Sequence, residues 1–202
     1  MKVKNLIMRR KIVFWISISF LCACATMDDG FPAGAQILKN TDLSSSDSPS
    51  PWVSISAPGF TLGVSRDEFR STPGSLFIEN SDSLNTNAST WRQMVRMPLP
   101  GEGRKITLRA YLKGEELKRH GTGSNIYISL RAFPVEDSKG NTVGRFISSQ
   151  ERVVVEGSFE WRPIELVLSK MPPEVDHLMV YLVMAPLTTG KIFFDDITLT
   201  VD

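Results

Sequence analysis

Nine consecutive residues, Lys105 to Lys113 (KITLRAYLK), alternate between apolar and polar without a break. Ile106, Leu108, Ala110 and Leu112 fall on one side, and Lys105, Thr107, Arg109, Tyr111 and Lys113 on the other. A period of two belongs to a β-strand with one dry and one wet face, and it excludes a helix over the same span. Asn125 to Phe133 (NIYISLRAF) repeats the pattern, with Ile126, Ile128, Leu130 and Ala132 inward and Asn125, Tyr127, Ser129 and Arg131 outward. Gly74–Asn80, Trp91–Met97, Arg152–Val155, Trp161–Leu168, Leu178–Met184 and Ile192–Val201 read as further strands, for eight or nine in all. The runs are separated by turn chemistry such as Pro100-Gly101-Glu102-Gly103, Ser138-Lys139-Gly140-Asn141 and Thr188-Thr189-Gly190. No long helical period intervenes, and Asp67–Phe69 is expected to form one helical turn at most. Short antiparallel strands at this spacing predict an all-β sandwich of the jelly-roll type. At 202 residues and 42% hydrophobic content the chain has room for one such domain.

The first 24 residues read as an address. Met1–Lys11 is basic, Ile12–Leu21 is a ten-residue apolar core, and Leu21-Cys22-Ala23-Cys24 follows. This resembles a bacterial lipoprotein signal with its lipobox. The resemblance implies cleavage before Cys24 and acylation of that cysteine, because Ala23 is the small residue that must precede it. An alternative transmembrane anchor needs about 20 apolar residues. Ile12–Thr26 supplies only 15, and Asp28 and Asp29 come soon after. The residue after the lipidated cysteine is Ala25 rather than Asp, which on the same resemblance implies sorting to the outer membrane, on its periplasmic or its surface side. Residues 25–36 (ATMDDGFPAGAQ) are expected to be a tether and 37–202 the folded domain.

Removing the address changes the charge balance. It holds five basic residues and no acid, leaving 18 Lys and Arg against 22 Asp and Glu in a body that is mildly acidic. That is not the footprint of a nucleic-acid binder. Both cysteines, Cys22 and Cys24, lie in the address, so the body has neither a disulfide framework nor a thiolate metal cluster.

Several fragments of the body, in order, resemble the galactose-binding-like jelly roll of bacterial carbohydrate-binding modules. They are Leu38-Lys39-Asn40-Thr41-Asp42 before Trp52, then Gly74-Ser75-Leu76-Phe77-Ile78, then Trp91-x-Gln93-x-Val95 before Pro100-Gly101 and Ile106–Lys113. Phe159-Glu160-Trp161 and Phe193-Phe194-Asp195-Asp196-Ile197-x-Leu199 complete the set. The resemblance implies a structural calcium held by Asp195, Asp196 and Asp42. Leu43-Ser44 stand where such modules often have Phe-Glu, a departure that removes one expected carboxylate.

Catalytic patterns are absent: there is no Gly-x-Ser-x-Gly elbow, no His-Glu-x-x-His and no phosphate-binding glycine loop. His120 and His177 stand far apart, and Glu115-Glu116 reads as a solvated turn between strands. Trp52, Trp91 and Trp161 lie inside the fold-defining fragments and read as packing residues. Two functional expectations follow. A non-catalytic binding domain for glycan or cell-envelope polymer would use outward Arg109, Tyr111, Tyr127, Arg131 and Tyr181 on a concave sheet face, with rings for stacking and guanidinium forks for hydroxyls or carboxylates. The alternative is an interaction or scaffolding subunit holding an envelope protein, or an accessory partner of a carbohydrate-active enzyme.

Overall fold

A computed structural model of the chain describes residues 29–44, 48–71 and 73–202. The proposed address, Cys24 and residues 25–28 of the expected tether lie outside the described residues. Eleven strands form: β1 (Ala35–Gln36), β2 (Val53–Ile55), β3 (Phe60–Ser65), β4 (Ser75–Asn80), β5 (Ser89–Arg96), β6 (Ile106–Arg119), β7 (Ile126–Phe133), β8 (Phe146–Ser148), β9 (Gly157–Leu168), β10 (His177–Met184) and β11 (Thr188–Val201). No helix occurs among the described residues, and Asp67–Phe69 does not make the expected turn of one.

The strands divide into two antiparallel sheets. One runs β3-β4-β11-β6-β9, with β1 added beside the end of β11, and the other runs β2-β5-β10-β7-β8. The alternation read from sequence sets the interior. Ile106, Leu108, Ala110, Ile126, Ile128, Leu178, Val180, Leu182, Phe194 and Leu199 are all 0% exposed. They form one core between the sheets, and truncating any large member of it costs about 2–5 kcal/mol. Trp52 and Trp91 are core residues, and their indole N–H groups donate to the Asn40 and Phe77 carbonyls. Trp161 is half-buried on β9.

Several local expectations are corrected. Arg152–Val155 is not a strand. Its backbone bonds instead to Asn125, which is buried rather than outward. The Asn125 amide donates to the Gln150 and Val153 carbonyls and its oxygen accepts the Val155 N–H. Glu115-Glu116 lies within the long strand β6, not in a turn. Thr188-Thr189-Gly190 is likewise no turn but the start of β11, where the ladder to β6 slips by one residue opposite Glu115 and Glu116. The second half of the expected tether is docked. Asp29 accepts the Gly101 N–H at 2.8 Å and pairs with Arg104 at 2.6 Å, Arg104 also donates to the Phe31 carbonyl, and Ala35–Gln36 pairs with Thr200–Val201.

Candidate functional site

The two sheets bury their inner faces against each other, so each offers one outer face. The five proposed ligand residues do not share one. Arg109 and Tyr111 lie on β6, in the six-stranded sheet, while Tyr127, Arg131 and Tyr181 lie on β7 and β10, in the other. The expected convergence of two rings and two guanidiniums therefore does not occur, because β6 and β7 belong to opposite layers of the sandwich.

The outer face of the six-stranded sheet has little left to offer a ligand. Arg109 is bound twice by Glu165, at 2.6 and 3.0 Å, and this pairing raises the pKa of its guanidinium. The Arg70 guanidinium lies 3.6 Å over the Tyr111 ring. Lys113 pairs with Glu68 at 2.7 Å, an interaction that pushes its ammonium pKa up, and Lys191 pairs with Glu79 at 3.4 Å. A polar cleft of about 650 Å³ opens at one end of this sheet, lined by Glu79, Glu115, Glu116, Lys118, Ser158 and Lys191 among others. It contains no aromatic ring.

The outer face of the five-stranded sheet is built differently. Directly paired residues of antiparallel strands point to the same side, so the register gives the face row by row. Arg96, His177 and Phe133 form one row, and Met94, Met179, Arg131 and Phe146 the next. Val53, Arg92, Tyr181, Ser129 and Ser148 form the third, and Ile55, Thr90, Val183 and Tyr127 the fourth. Phe133 and His177 stack with parallel rings 4.7 Å apart, and Arg131 lies 5.5 Å from the Phe133 ring centre and 5.7 Å from that of Phe146. Val53, Ile55, Met94 and Phe146 stay exposed, whereas Met179 and Val183 are buried beneath their neighbours. Burial also pushes the Tyr127 hydroxyl pKa up. A cleft of about 390 Å³ adjoins the face at β5, lined by Phe31, Lys39, Pro51, Met94, Arg96 and Met97 among others. Three residues chosen from sequence are thus brought together here. Arg92, Met94 and Arg96 were missed, although they are the outward positions alternating with Trp91, Gln93 and Val95.

The acidic site takes another form than the resemblance implies. β11 is flanked by β4 as far as Phe194 and by β1 from Thr200. Between them the ladder to β6 is also irregular, and Ile197 N–H donates to the Thr41 carbonyl. Asp195 and Asp196 sit in this gap. The fully buried Asp195 carboxylate accepts the N–H groups of Arg70 (2.8 Å) and Asp196 (2.7 Å). Asp196 pairs with the Arg70 guanidinium and accepts the Ser71 hydroxyl. Asp42 accepts the Ser44 N–H and hydroxyl, which lower its pKa. A nearby guanidinium, that of Arg66, donates to the Leu43 carbonyl at 2.9 Å and the Pro73 carbonyl at 2.7 Å. Calcium takes six to eight oxygens. Here the carboxylates are engaged by amides, hydroxyls and Arg70, and no cluster of three or more His, Cys, Asp or Glu suited to a metal occurs among the described residues. The donor set does not fit calcium. Arg70 supplies the positive charge itself. His120 bonds Thr189 at 2.8 Å and His177 stacks on Phe133, so neither histidine joins a metal group.

No protein-family model matches the chain, and no curated protein does. Solved structures do match. TmCBM61 in complex with beta-1,4-galactotriose is 18% identical, with a TM-score of 0.51 over 82% of this chain and 97% of that one. The CBM22-1 xylan-binding domain of Paenibacillus barcinonensis Xyn10C is 11% identical, with a TM-score of 0.53 over 84% and 96%. Enzymes share the fold too. The Stig cyclase Fisc from Fischerella sp. TAU is 13% identical with a TM-score of 0.59 over 84% and 98%. The enzymatically active domain of bacteriophage CBA120 tailspike protein 4 is 15% identical with a TM-score of 0.59 over 83% of this chain, which spans only 21% of that one. At these identities the likeness concerns the backbone: the chain has the jelly-roll β-sandwich of the carbohydrate-binding modules.

Proposed function

We propose that the domain is a non-catalytic glycan-binding module that works through the outer face of its five-stranded sheet, on a lipoprotein held at the outer membrane by acylated Cys24. The observation that carries the reading is the single face on which Tyr127, Tyr181, Phe133, Phe146 and Arg131 gather around apolar Met94, Val53 and Ile55. Rings stack on the C–H faces of sugars, and guanidinium forks take hydroxyls. Two solved sandwiches of the same fold are, by their descriptions, a galactotriose-bound module and a xylan-binding domain.

Affinity electrophoresis against a panel of polysaccharides tests it. Tyr181→Ala and Tyr127→Ala are expected to weaken retardation about tenfold each, since one lost stacking contact is worth about 1–2 kcal/mol. Both positions are half-buried rather than core, so melting temperatures should fall far less than for a core truncation. Retardation by no polysaccharide at all, alongside capture of an envelope protein, would favour the scaffolding reading.

The anchor has its own test. Cys24→Ala is expected to move the protein from the membrane fraction to the soluble fraction, and Cys22→Ala to leave it in place. Stable acyl anchoring takes more than one chain, so loss of the single modified cysteine removes it altogether. Retention of the Cys24→Ala form in membranes would refute acylation as the means of attachment.

A further inference from the structure

Charge separates the two outer faces more sharply than shape does. On the six-stranded sheet Lys105, Arg109, Lys113 and Lys191 each face a carboxylate partner, Asp202, Glu165, Glu68 and Glu79 respectively. On the five-stranded sheet no outward position of β2, β5, β10, β7 or β8 holds Asp or Glu. That face nevertheless carries Arg92, Arg96 and Arg131. None of the three forms an ion pair or a hydrogen bond through its guanidinium among the described residues. In a body with more acids than bases, an acid-free face bearing three guanidiniums without a carboxylate partner runs against the composition.

The register also spaces them. Strands lie about 4.8 Å apart and same-face residues along a strand about 7 Å apart. Arg131 is two strands and one row from both Arg92 and Arg96, so its backbone stands about 12 Å from each. Arg92 and Arg96 are two rows, or about 13 Å, apart on β5. The three form a near-equilateral triangle around Met179 and Tyr181, with Phe133 and Phe146 beside Arg131. An extended polymer that repeats a negative group can engage the three forks in turn, while its rings rest on the apolar centre.

We propose that the ligand of this face is an anionic polysaccharide, one carrying carboxylates or sulfates along its chain. The inference rests on the glycan reading above and goes beyond it in assigning charge. Arg rather than Lys suits the task, because its planar fork binds a carboxylate or sulfate through two parallel N–H bonds and tolerates the aromatic surroundings. The net negative body supplies no long-range attraction, so recognition is local and short-ranged.

The test measures binding of the purified full-length protein to paired polymers that share a backbone but differ in charge. Polygalacturonate is set against its methyl-esterified form, and dextran sulfate against dextran. The charged member of at least one pair is expected to bind about tenfold tighter than its neutral partner, with the difference shrinking as salt rises through about 0.5 M. If polygalacturonate alone discriminates, the ligand group is a uronate; if dextran sulfate alone does, it is a sulfate. Arg92→Gln and Arg96→Gln should each lower affinity for the charged polymer severalfold and leave any neutral-polymer affinity unchanged, while Arg131→Gln should lower affinity for the charged polymer more than for the neutral one, with melting curves close to the parent. Equal binding within both pairs would overturn the inference while leaving the glycan reading intact. Binding to no polymer, charged or neutral, would remove the reading beneath it. Phosphatidylglycerol vesicles bound as tightly as the charged polymer, with that binding lost in the arginine variants although Cys24 is intact, would overturn it as well, since the face would then recognise charge on a lipid surface and not a glycan. Arginine variants that bind the charged polymer as well as the parent would also refute it.

Discussion

Gly190→Ala is expected to destabilise the protein by about 3 kcal/mol or more, lowering Tm by roughly 6–12 °C for a domain of this size. Gly190 sits at φ +104, and an added Cβ would lie 2.7 Å from both the Glu115 and Glu116 carbonyl oxygens. Those oxygens belong to the backbone of β6, a central strand held between β11 and β9. The residue sits where the β6–β11 ladder slips, and Glu116 opposite has a left-handed φ of 50. Gly140→Ala is the matched control. Its φ is +80, yet nothing lies within 4 Å of the new Cβ, so only the conformational penalty of about 1–2 kcal/mol remains. Thermal denaturation of the two variants should separate them clearly. A Gly190→Ala protein that melts with Gly140→Ala would show that the strand crossing has slack.

Asp195→Ala is expected to cost about 2–4 kcal/mol. It removes a fully buried carboxylate and leaves the partly buried Arg70 and Asp196 amides without their acceptor, at about 1–2 kcal/mol each. Asp196→Ala removes a partly exposed pair with Arg70 and an exposed hydrogen bond from the Ser71 hydroxyl, and should cost less than about 1 kcal/mol. Urea denaturation would order the two, and an equal loss would mean that Asp195 is not the anchor of loop 66–73. The pH dependence carries a sign. Burial raises the Asp195 pKa above its ordinary value even though backbone amides oppose the shift. The folded state then holds that proton more tightly than the unfolded chain. Its contribution is fully present below the ordinary Asp pKa and is lost as pH rises through the raised value. The stability advantage of the parent over Asp195→Asn should therefore grow as pH falls from neutral toward about 4. Asp29, Asp42, Asp137, Glu174 and Asp202 act the other way. Hydrogen bonds lower their pKa values, so what they contribute is lost as pH drops below the carboxylate range.

Alternation makes β5, β6 and β7 legible, together with the facing of residues 106–113 on β6, and a continuous apolar run marks β10. A period of two tells whether a side chain points into the sandwich or out of it. It does not tell which of the two sheets a strand joins, and that is why Arg109 and Tyr111 were grouped with Tyr127 and Arg131. The link from β6 to β7 through His120–Asn125 crosses from one layer to the other, and no residue in it announces the crossing. The same blindness hid the charge pattern. Arg92 and Arg96 were readable as outward positions, but their lack of partners depends on which strands flank β5. Val153-Val154-Val155 looked like a strand by propensity. Asn125 claims the backbone of that segment, its amide donating to the Val153 carbonyl and its oxygen accepting the Val155 N–H, a long-range contact that local sequence cannot encode. The Asp195–Asp196 pair stands out in the sequence, but its partners do not, because Arg70 and Ser71 lie 125 residues away in the chain.

Asp29 is clamped by Gly101 and Arg104 at the root of β6, and this would set the length of a leash from an acylated Cys24. Only Ala25, Thr26, Met27 and Asp28 separate it from Cys24. Fully stretched, those five steps cover about 18 Å. A lipid on Cys24 would therefore hold the Pro98–Arg104 end of the sandwich almost against the headgroups. Such a domain could swivel but not wander. It would sample only a thin shell beside the membrane, where its ligand would have to be brought to it.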